Sequence, residues 1–487
     1  MLKSAQRFVQ FFVVLSFACI SMASQTVESS VQEELDRFFE QRSSLAQWSV
    51  FVEEIDSGKP LYSRYANSKL IPASNMKLVV CSAILLQLGP DFTYKTPIYL
   101  SGTQENQTFH GDLLVVGSGD PSIGGRFNNG DITASFREWA ALLKQRNITR
   151  ITGNIIGIDD VFDENRRGLN WSPLDYIEWY AAEIAGLTLN DACIDVYATG
   201  AAQAGSPASI SLDPDTKYIQ VDSKMTTVAS RKAERGIILS REPESTLLSI
   251  EGSISAKQRQ RAYASVYNPT HFFVAVLKET LEREGIQVEG LAIDGDDAQQ
   301  RPKRETWELV HTHESPPLID LVQVCQKSSQ NLYAEHFLKT LGAQEYGVGS
   351  YESGTLAIKD VLFNHGCNLD DQYIADGSGL SRENMMNAKS FVHLLRTVMT
   401  SKYAEPFQNT LPIAGTDGTL RYRLRETATR GKIYAKTGTM KGVSALSGIL
   451  KTKSGKTCLF SIIGNSSRNL SLSNTIDEAC AILVSNG

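Results

Sequence analysis

The sequence predicts a mixed α/β (α+β) protein, an antiparallel sheet flanked by helices and interrupted by further modules. Three observations point there. The length, 487 residues, suggests about three domains at roughly 150 residues each. Strand-like hairpins stand near both ends, around the turns Asp56-Ser57-Gly58-Lys59 and Lys453-Ser454-Gly455-Lys456. Between them, helical periodicity gives way from 193 to 262 to an alternating polar stretch rich in Ser, Thr, Ala and Gly, which suits a small all-β module.

Each element has a local reason. Residues 48–63 form two strands around the first turn. Ile71-Pro72-Ala73-Ser74 leads into a helix over 75–88 whose Met76, Val79, Val80, Ala83, Ile84 and Leu86 to Leu88 suit a mostly buried cylinder, ended by Gly89-Pro90. From about 93 to 190 short strands and loops dominate, with one helix near 134–145. Helical periodicity returns over Pro269 to Glu284, in 315–342, and around 353–364 and 388–400. The tail from Val443 to Ser466 reads as strand, turn and strand, followed by a helix near 474–484. No internal repeat or low-complexity tract interrupts this order.

Composition narrows the class. Apolar residues make up 42% and charged residues 21%, the proportions of a soluble globular protein rather than a disordered, fibrous or polytopic membrane one. The formal charge is −6, from 48 Lys plus Arg against 54 Asp plus Glu. Such a surface gains little by displacing phosphate counterions, so no nucleic-acid partner is expected.

The first 23 residues read as a cleaved export signal. Lys3 and Arg7 precede the apolar run Phe8 to Ile20, and Ser21-Met22-Ala23 follows with small residues at cleavage positions. The run falls short of the ~20 residues that span a bilayer. Ser16-Phe17-Ala18 before Cys19 lacks the aliphatic residue of a lipoprotein site. A soluble, exported chain with at most peripheral membrane association is expected. Removing the leader leaves six cysteines, none spaced Cys-x-x-Cys, so buried thiols with at most one bridge are expected and no metal site.

Three short motifs carry chemistry. In Ser74-Asn75-Met76-Lys77, residues three apart at a helix start share a face. The ammonium can therefore approach the hydroxyl, and a buried lysine of depressed pKa can serve as base. In Ser329-Gln330-Asn331, hydroxyl and amide converge on one site only from a loop or helix end. In Lys436-Thr437-Gly438-Thr439, preceded by Ile433-Tyr434-Ala435, a strand offers a cation and two hydroxyls to an anion. Gly438 there removes a side chain so that something can lie against the backbone. Asp376-Gly377-Ser378-Gly379 reads chiefly as a turn, and Trp171, Asp175 and Tyr180 are candidate pocket residues. Cys81 reads as packing. Gly117, Gly119 and Gly124 make no phosphate loop, since no Gly-Lys-Ser/Thr follows.

Together and in this order, the motifs resemble those of the penicillin-recognising serine acyltransferases, Ser-x-x-Lys, Ser-Asp-Asn and Lys-Thr-Gly, with Gln330 where Asp is common. The gap of about 250 residues between the first two is too long for a minimal β-lactamase. It is similar to the D-alanyl-D-alanine carboxypeptidase/endopeptidase family of the peptidase S13, or penicillin-binding protein 4, type. Further stretches similar to that family are GDLLVVGSGDPSI, ADGSGLSRENMM and LPIAGTDGTLRYR.

That resemblance implies a β-lactamase/transpeptidase-like catalytic domain over 24–89 and 264–487, an inserted domain over 90–192 and an inserted β-rich domain over 193–263. It implies Ser74 as nucleophile, Lys77 as base, Ser329 as proton relay and Asn331 as positioning group. Lys436, Thr437, Gly438 and Thr439 would bind the substrate's terminal carboxylate, and backbone N–H groups of Ser74 and Thr439 would form the oxyanion hole. Peptidoglycan peptides are the implied substrates and β-lactams the covalent inhibitors, with no cofactor. A β-lactamase and a non-catalytic peptidoglycan-binding protein are the alternatives.

Overall fold

The computed structural model describes residues 31–299 and 301–486; the leader expected at 1–23 lies outside them. Strands β1 (Gln47–Glu54), β2 (Pro60–Arg64), β3 (Ile433–Met440), β4 (Val443–Lys451) and β5 (Thr457–Asn465) form one antiparallel sheet in the order β3-β4-β5-β1-β2. The two terminal hairpins are thus one sheet, zipped from Gln47 against Asn465 to Glu54 against Cys458.

Side chains of a strand alternate between faces, and here both faces are covered. Val50, Val52, Leu446, Leu450, Phe460 and Ile462 join Val31, Leu35 and Phe39 of the helix at 31–40 and Ile476 of α6 (Ser473–Asn486) in one core. Phe51, Ala445, Ile449, Leu459 and Ile463 face the opposite way, into the main helical core. This double covering is why these strands read as nearly continuous apolar runs.

At the centre of that helical core lies α1 (Met76–Leu88), buried from Met76 to Leu86. A helix that is apolar on every side must be surrounded. It packs against α2 (Leu318–Lys327), α3 (Asn331–Tyr346), α4 (Tyr351–Asn364) and α5 (Ala388–Met399). The helical region expected over 315–342 is broken at Ser328 to Gln330, where Ser329 takes a left-handed φ of 56° and Gln330 an extended conformation before α3 starts.

A second, seven-stranded sheet centres on the hairpin Lys95–Glu105 and Thr108–Val116. Trp307–Glu314 runs antiparallel to Lys95–Glu105, and Gln287–Val288 and Ala292–Asp294 complete the sheet beside Arg150–Ile151 and Ile155–Ile158. Helix Pro269–Arg283 packs against this sheet. The expected return to the catalytic domain at 264 therefore needs correction: residues 269–314 join the sheet begun at 95, and the helices around α1 resume at Leu318. Helical periodicity marks a covered face without naming the sheet that covers it. The stretch from Cys193 to Ser265 is built on strands, in a three-stranded and a four-stranded sheet.

Candidate active site

The nucleophile candidate sits on a bend. Ala73 has φ of 48°, and Ala73–Asn75 makes a single 3₁₀ turn before α1 begins. Such a left-handed non-glycine residue is strained and persists only where its surroundings hold it. Two glycines let those surroundings close in. A Cβ on Gly379 (φ 83°) would lie 1.9 Å from the Ala73 carbonyl oxygen, and one on Gly438 would lie 2.4 Å from that of Pro72. What lies against the backbone at Gly438 is thus the serine turn itself.

One turn beyond Ser74, at the start of α1, Lys77 is fully buried. Its Nζ donates to Asn331 Oδ1 at 2.7 Å, to the Ser378 carbonyl at 2.8 Å and to Ser74 Oγ at 3.1 Å. Burial pushes this ammonium below the ordinary lysine range, opposed by Cys325 and by the carboxyls of Glu335 and Asp376. Of the three oxygens around Nζ, the amide and the carbonyl only accept, whereas the hydroxyl can also give a proton. A neutral amine that keeps its two N–H groups on Asn331 and Ser378 therefore turns its lone pair toward Ser74.

Ser329 and Asn331 reach the site from the break before α3. Asn331 also donates from Nδ2 to the Tyr180 carbonyl at 2.7 Å. Ser329 Oγ accepts from Lys436 Nζ at 2.9 Å, and Lys436 donates as well to the Thr437 carbonyl at 2.9 Å. Burial, and after it the nearby charge of Lys77, pushes the Lys436 ammonium well below its usual range. The two amines thus compete for charge in one buried region. Lys77 donates to Ser74 and Lys436 to Ser329, and both serines line the same cavities.

Ser74, Ser329 and Thr439 line two adjoining cavities. The smaller, about 310 Å³, is also lined by Thr437, Thr419, Arg423 and Ser473; Thr437 Oγ1 bonds Thr419 Oγ1 at 2.8 Å. The larger, about 610 Å³, is lined by Asn331, Asp175, Trp179, Tyr180 and Met440 among others. Of the three pocket candidates, Asp175 and Tyr180 face this cavity, Tyr180 Oη donating to Asp175 Oδ1 at 2.9 Å. Trp171 is instead buried, its indole N–H on Asp376 Oδ2 at 2.9 Å.

The segment Asp376-Gly377-Ser378-Gly379 is a turn, as expected, and it also borders the site, through the Ser378 carbonyl that accepts from Lys77. Asp376 Oδ1 accepts from the Gly379 N–H and Oδ2 from the Ser381 N–H, which fixes the loop. Glu335, four residues after Asn331 on α3, accepts from the N–H groups of Gly377 and Ser378, both at 2.8 Å, and thereby aims the Ser378 carbonyl at Lys77. Burial, with the Asp376 charge behind it, pushes the Glu335 carboxyl up to about 8. Sequence reasoning missed Glu335, Thr419, Trp179 and Arg423. Glu335 follows Asn331 at one-turn spacing, a signal indistinguishable from an ordinary surface glutamate. Cys81 is buried, and all six described cysteines are unbridged.

The model of the D-Ala-D-Ala carboxypeptidase 3 (S13) family matches residues 31–486. The D-alanyl-D-alanine carboxypeptidase of Actinomadura sp. (strain R39) is 31% identical over 429 residues, 85% of this chain and 77% of that one. D-alanyl-D-alanine carboxypeptidase DacB of Haemophilus influenzae is 26% identical over 395 residues, 80% of this chain and 79% of the relative. The crystal structure of penicillin binding protein 4 from Haemophilus influenzae shares the fold, with a TM-score of 0.77 at 24% identity over 91% of this chain and 97% of that one. The antiparallel sheet between helical layers, the serine and lysine on one helix turn and the match along nearly the whole described chain lead to one conclusion: this chain belongs to the D-Ala-D-Ala carboxypeptidase 3 (S13) family of peptidases.

Proposed function

We propose that the chain hydrolyses peptides ending in D-Ala-D-Ala, the stem peptides of peptidoglycan, through an acyl-enzyme on Ser74. The observation that carries this is the three-acceptor cage around Lys77 Nζ. As Ser74 Oγ bonds to the penultimate D-Ala carbonyl carbon, its proton passes to Lys77, whose ammonium the cage then satisfies on all three N–H groups. The carbon–nitrogen bond breaks, and the departing amine takes that same proton from the Lys77 ammonium by way of Ser329, itself hydrogen-bonded to Lys436, which leaves Lys77 neutral again. Water then cleaves the ester, releasing the shortened peptide and restoring Ser74.

The smaller cavity has the polarity for the terminal carboxylate, with Thr437 and Thr439 as hydroxyl donors and Lys436 as the charge behind them. The larger has room for the preceding residues, and Asp175 suits an amino-bearing side chain. Backbone N–H groups of Ser74 and Thr439 would hold the oxyanion, a contribution commonly worth ~3 to 4 kcal/mol per donor. If the attacked bond is a D-Ala-to-amine cross-link, the same steps amount to endopeptidase action. A haemophilus penicillin binding protein 4 of this fold has been crystallised with a β-lactam, and this chain is proposed to bind β-lactams covalently at Ser74.

The substrate lies outside the cytoplasm, so the chain is proposed to be exported to the periplasm by its leader. Among the described residues, no helix is long and apolar enough to cross a membrane. Incubation with penicillin followed by peptide mass spectrometry is the test. One adduct on the peptide containing Ser74, absent from Ser74→Ala, is expected, together with release of D-alanine from a pentapeptide. Release of D-alanine by Ser74→Ala at the wild-type rate would overturn the mechanism.

A further inference from the structure

A third cavity, of about 650 Å³, lies beside the catalytic one and is not used by the chemistry above. It falls within the roughly 300–1,000 Å³ of small-molecule sites. Its walls come from the first inserted region (Arg126), from the β-rich stretch (Asp195, Arg261, Tyr263) and from Gln330, which adjoins Ser329 in the chain. Trp179 lines both this cavity and the larger catalytic one, so the two are contiguous around its ring.

Three features specify a ligand. The first is charge. Arg126 pairs with Asp191, and Arg261 with Asp195, so the two cations and two anions of the lining compensate one another. A neutral ligand fits such a wall, and paired guanidinium and carboxylate groups offer it donors and acceptors side by side. The second is apolar surface. Tyr263 is 46% and Trp179 38% exposed, aromatic surface of the kind that pairs an apolar face with a polar edge. The third is an unmet acceptor. Gln330 is 4% exposed and donates from Nε2 to Asp191 Oδ2 at 2.8 Å, which leaves its buried Oε1 without a hydrogen-bond partner. A buried amide oxygen left so calls for an N–H or O–H donor.

From these features we infer that the cavity binds a neutral, N-acetylated saccharide, the sugar end of the substrate whose peptide occupies the catalytic cavity. The inference rests on the peptidase reading. The sugar ring packs on Tyr263 and Trp179, its hydroxyls meet the two ion pairs, and an amide N–H or hydroxyl satisfies Gln330 Oε1. Substrate recognition thus extends from the nucleophile into the inserted regions.

The test compares kcat/KM for a disaccharide-linked pentapeptide with that for the same pentapeptide free. It uses the full mature chain, Tyr263→Ala and Tyr263→Phe, with penicillin acylation measured in parallel. The wild type should prefer the sugar-bearing substrate by about tenfold, the size of an aromatic packing contribution. The preference should vanish in Tyr263→Ala and return in Tyr263→Phe, while all three acylate alike. N,N′-diacetylchitobiose should also bind the penicillin-blocked wild type and not blocked Tyr263→Ala. Equal kcat/KM for both substrates in the wild type, or an unchanged preference in Tyr263→Ala, overturns the inference. A wild type that penicillin does not acylate overturns instead the reading on which it rests.

Discussion

Replacing Asn331 probes the cage around Lys77, the proposed base. Asn331→Ala removes the acceptor 2.7 Å from Lys77 Nζ and the donor 2.7 Å from the Tyr180 carbonyl. A hydrogen bond to a charged group contributes about 1.5–3 kcal/mol. The ammonium formed as Ser74 attacks loses that much, and acylation should slow by about 10- to 150-fold. The pH profile gives a second, independent readout. With Lys77 as the proposed base, acylation needs it neutral, so the rate should rise with pH through the lysine pKa. The amide oxygen favours the charged form; without it the pKa, already lowered by burial, falls further and the acid limb moves to lower pH. Asn331→Asp does the reverse: a carboxylate beside Nζ favours the ammonium and should move the limb up by about 1 to 3 pH units. Acylation by a fluorescent penicillin, followed from pH 5 to 10 in both variants, measures rate and limb together. Wild-type rates in Asn331→Ala, or limbs that move in the opposite directions, would refute Lys77 as the base held by this residue.

Gly379→Ala places a Cβ 1.9 Å from the Ala73 carbonyl oxygen at φ 83°; the left-handed strain alone costs roughly 1–2 kcal/mol. Acylation should fall at least tenfold with a lowered Tm, and an unchanged acylation rate would show that the serine turn does not depend on this close approach. His336 is fully buried with Nδ1 on the Gly119 carbonyl, and burial lowers its pKa from 6.5 to about 4. The unfolded chain therefore binds the extra proton between those values, so this contribution to stability is whole above about pH 6.5 and is lost as pH falls toward 4. It amounts to roughly 3 kcal/mol. His336→Asn should flatten the fall in Tm over that window relative to wild type; parallel curves would refute the assignment. Because the six described cysteines are buried and unbridged, reductant should leave Tm unchanged, and thiol reagents should label them only after denaturation.

Local patterns were enough for the pieces. The Ser74 and Lys77 spacing on a helix start, the strand at Lys436 to Thr439 and the hairpins at 48–63 and 443–466 follow from periodicity and turn residues, which depend on neighbours in the chain. The resemblance of three ordered motifs then named the chemistry before any distance was known. Long-range pairings lay beyond that reach. Trp307–Glu314 joins Lys95–Glu105, and nothing in either segment encodes that partner, so the division at 264 missed it. Glu335 and the Ser378 carbonyl act on Lys77 from 258 and 301 positions away, through a loop whose sequence is that of any tight turn.

By itself, then, the sequence determined which segments coil or extend and which side chains have nucleophilic, basic or cationic character, because those are properties of residues and their near neighbours. Only the tertiary structure decided that two lysines share one buried region, that Gly379 and Gly438 are vacant for the serine turn, and that Gln330 keeps an unmet acceptor in a neutral cavity. Burial, charge competition and close approach arise between segments remote in the chain, and folding alone brings them together.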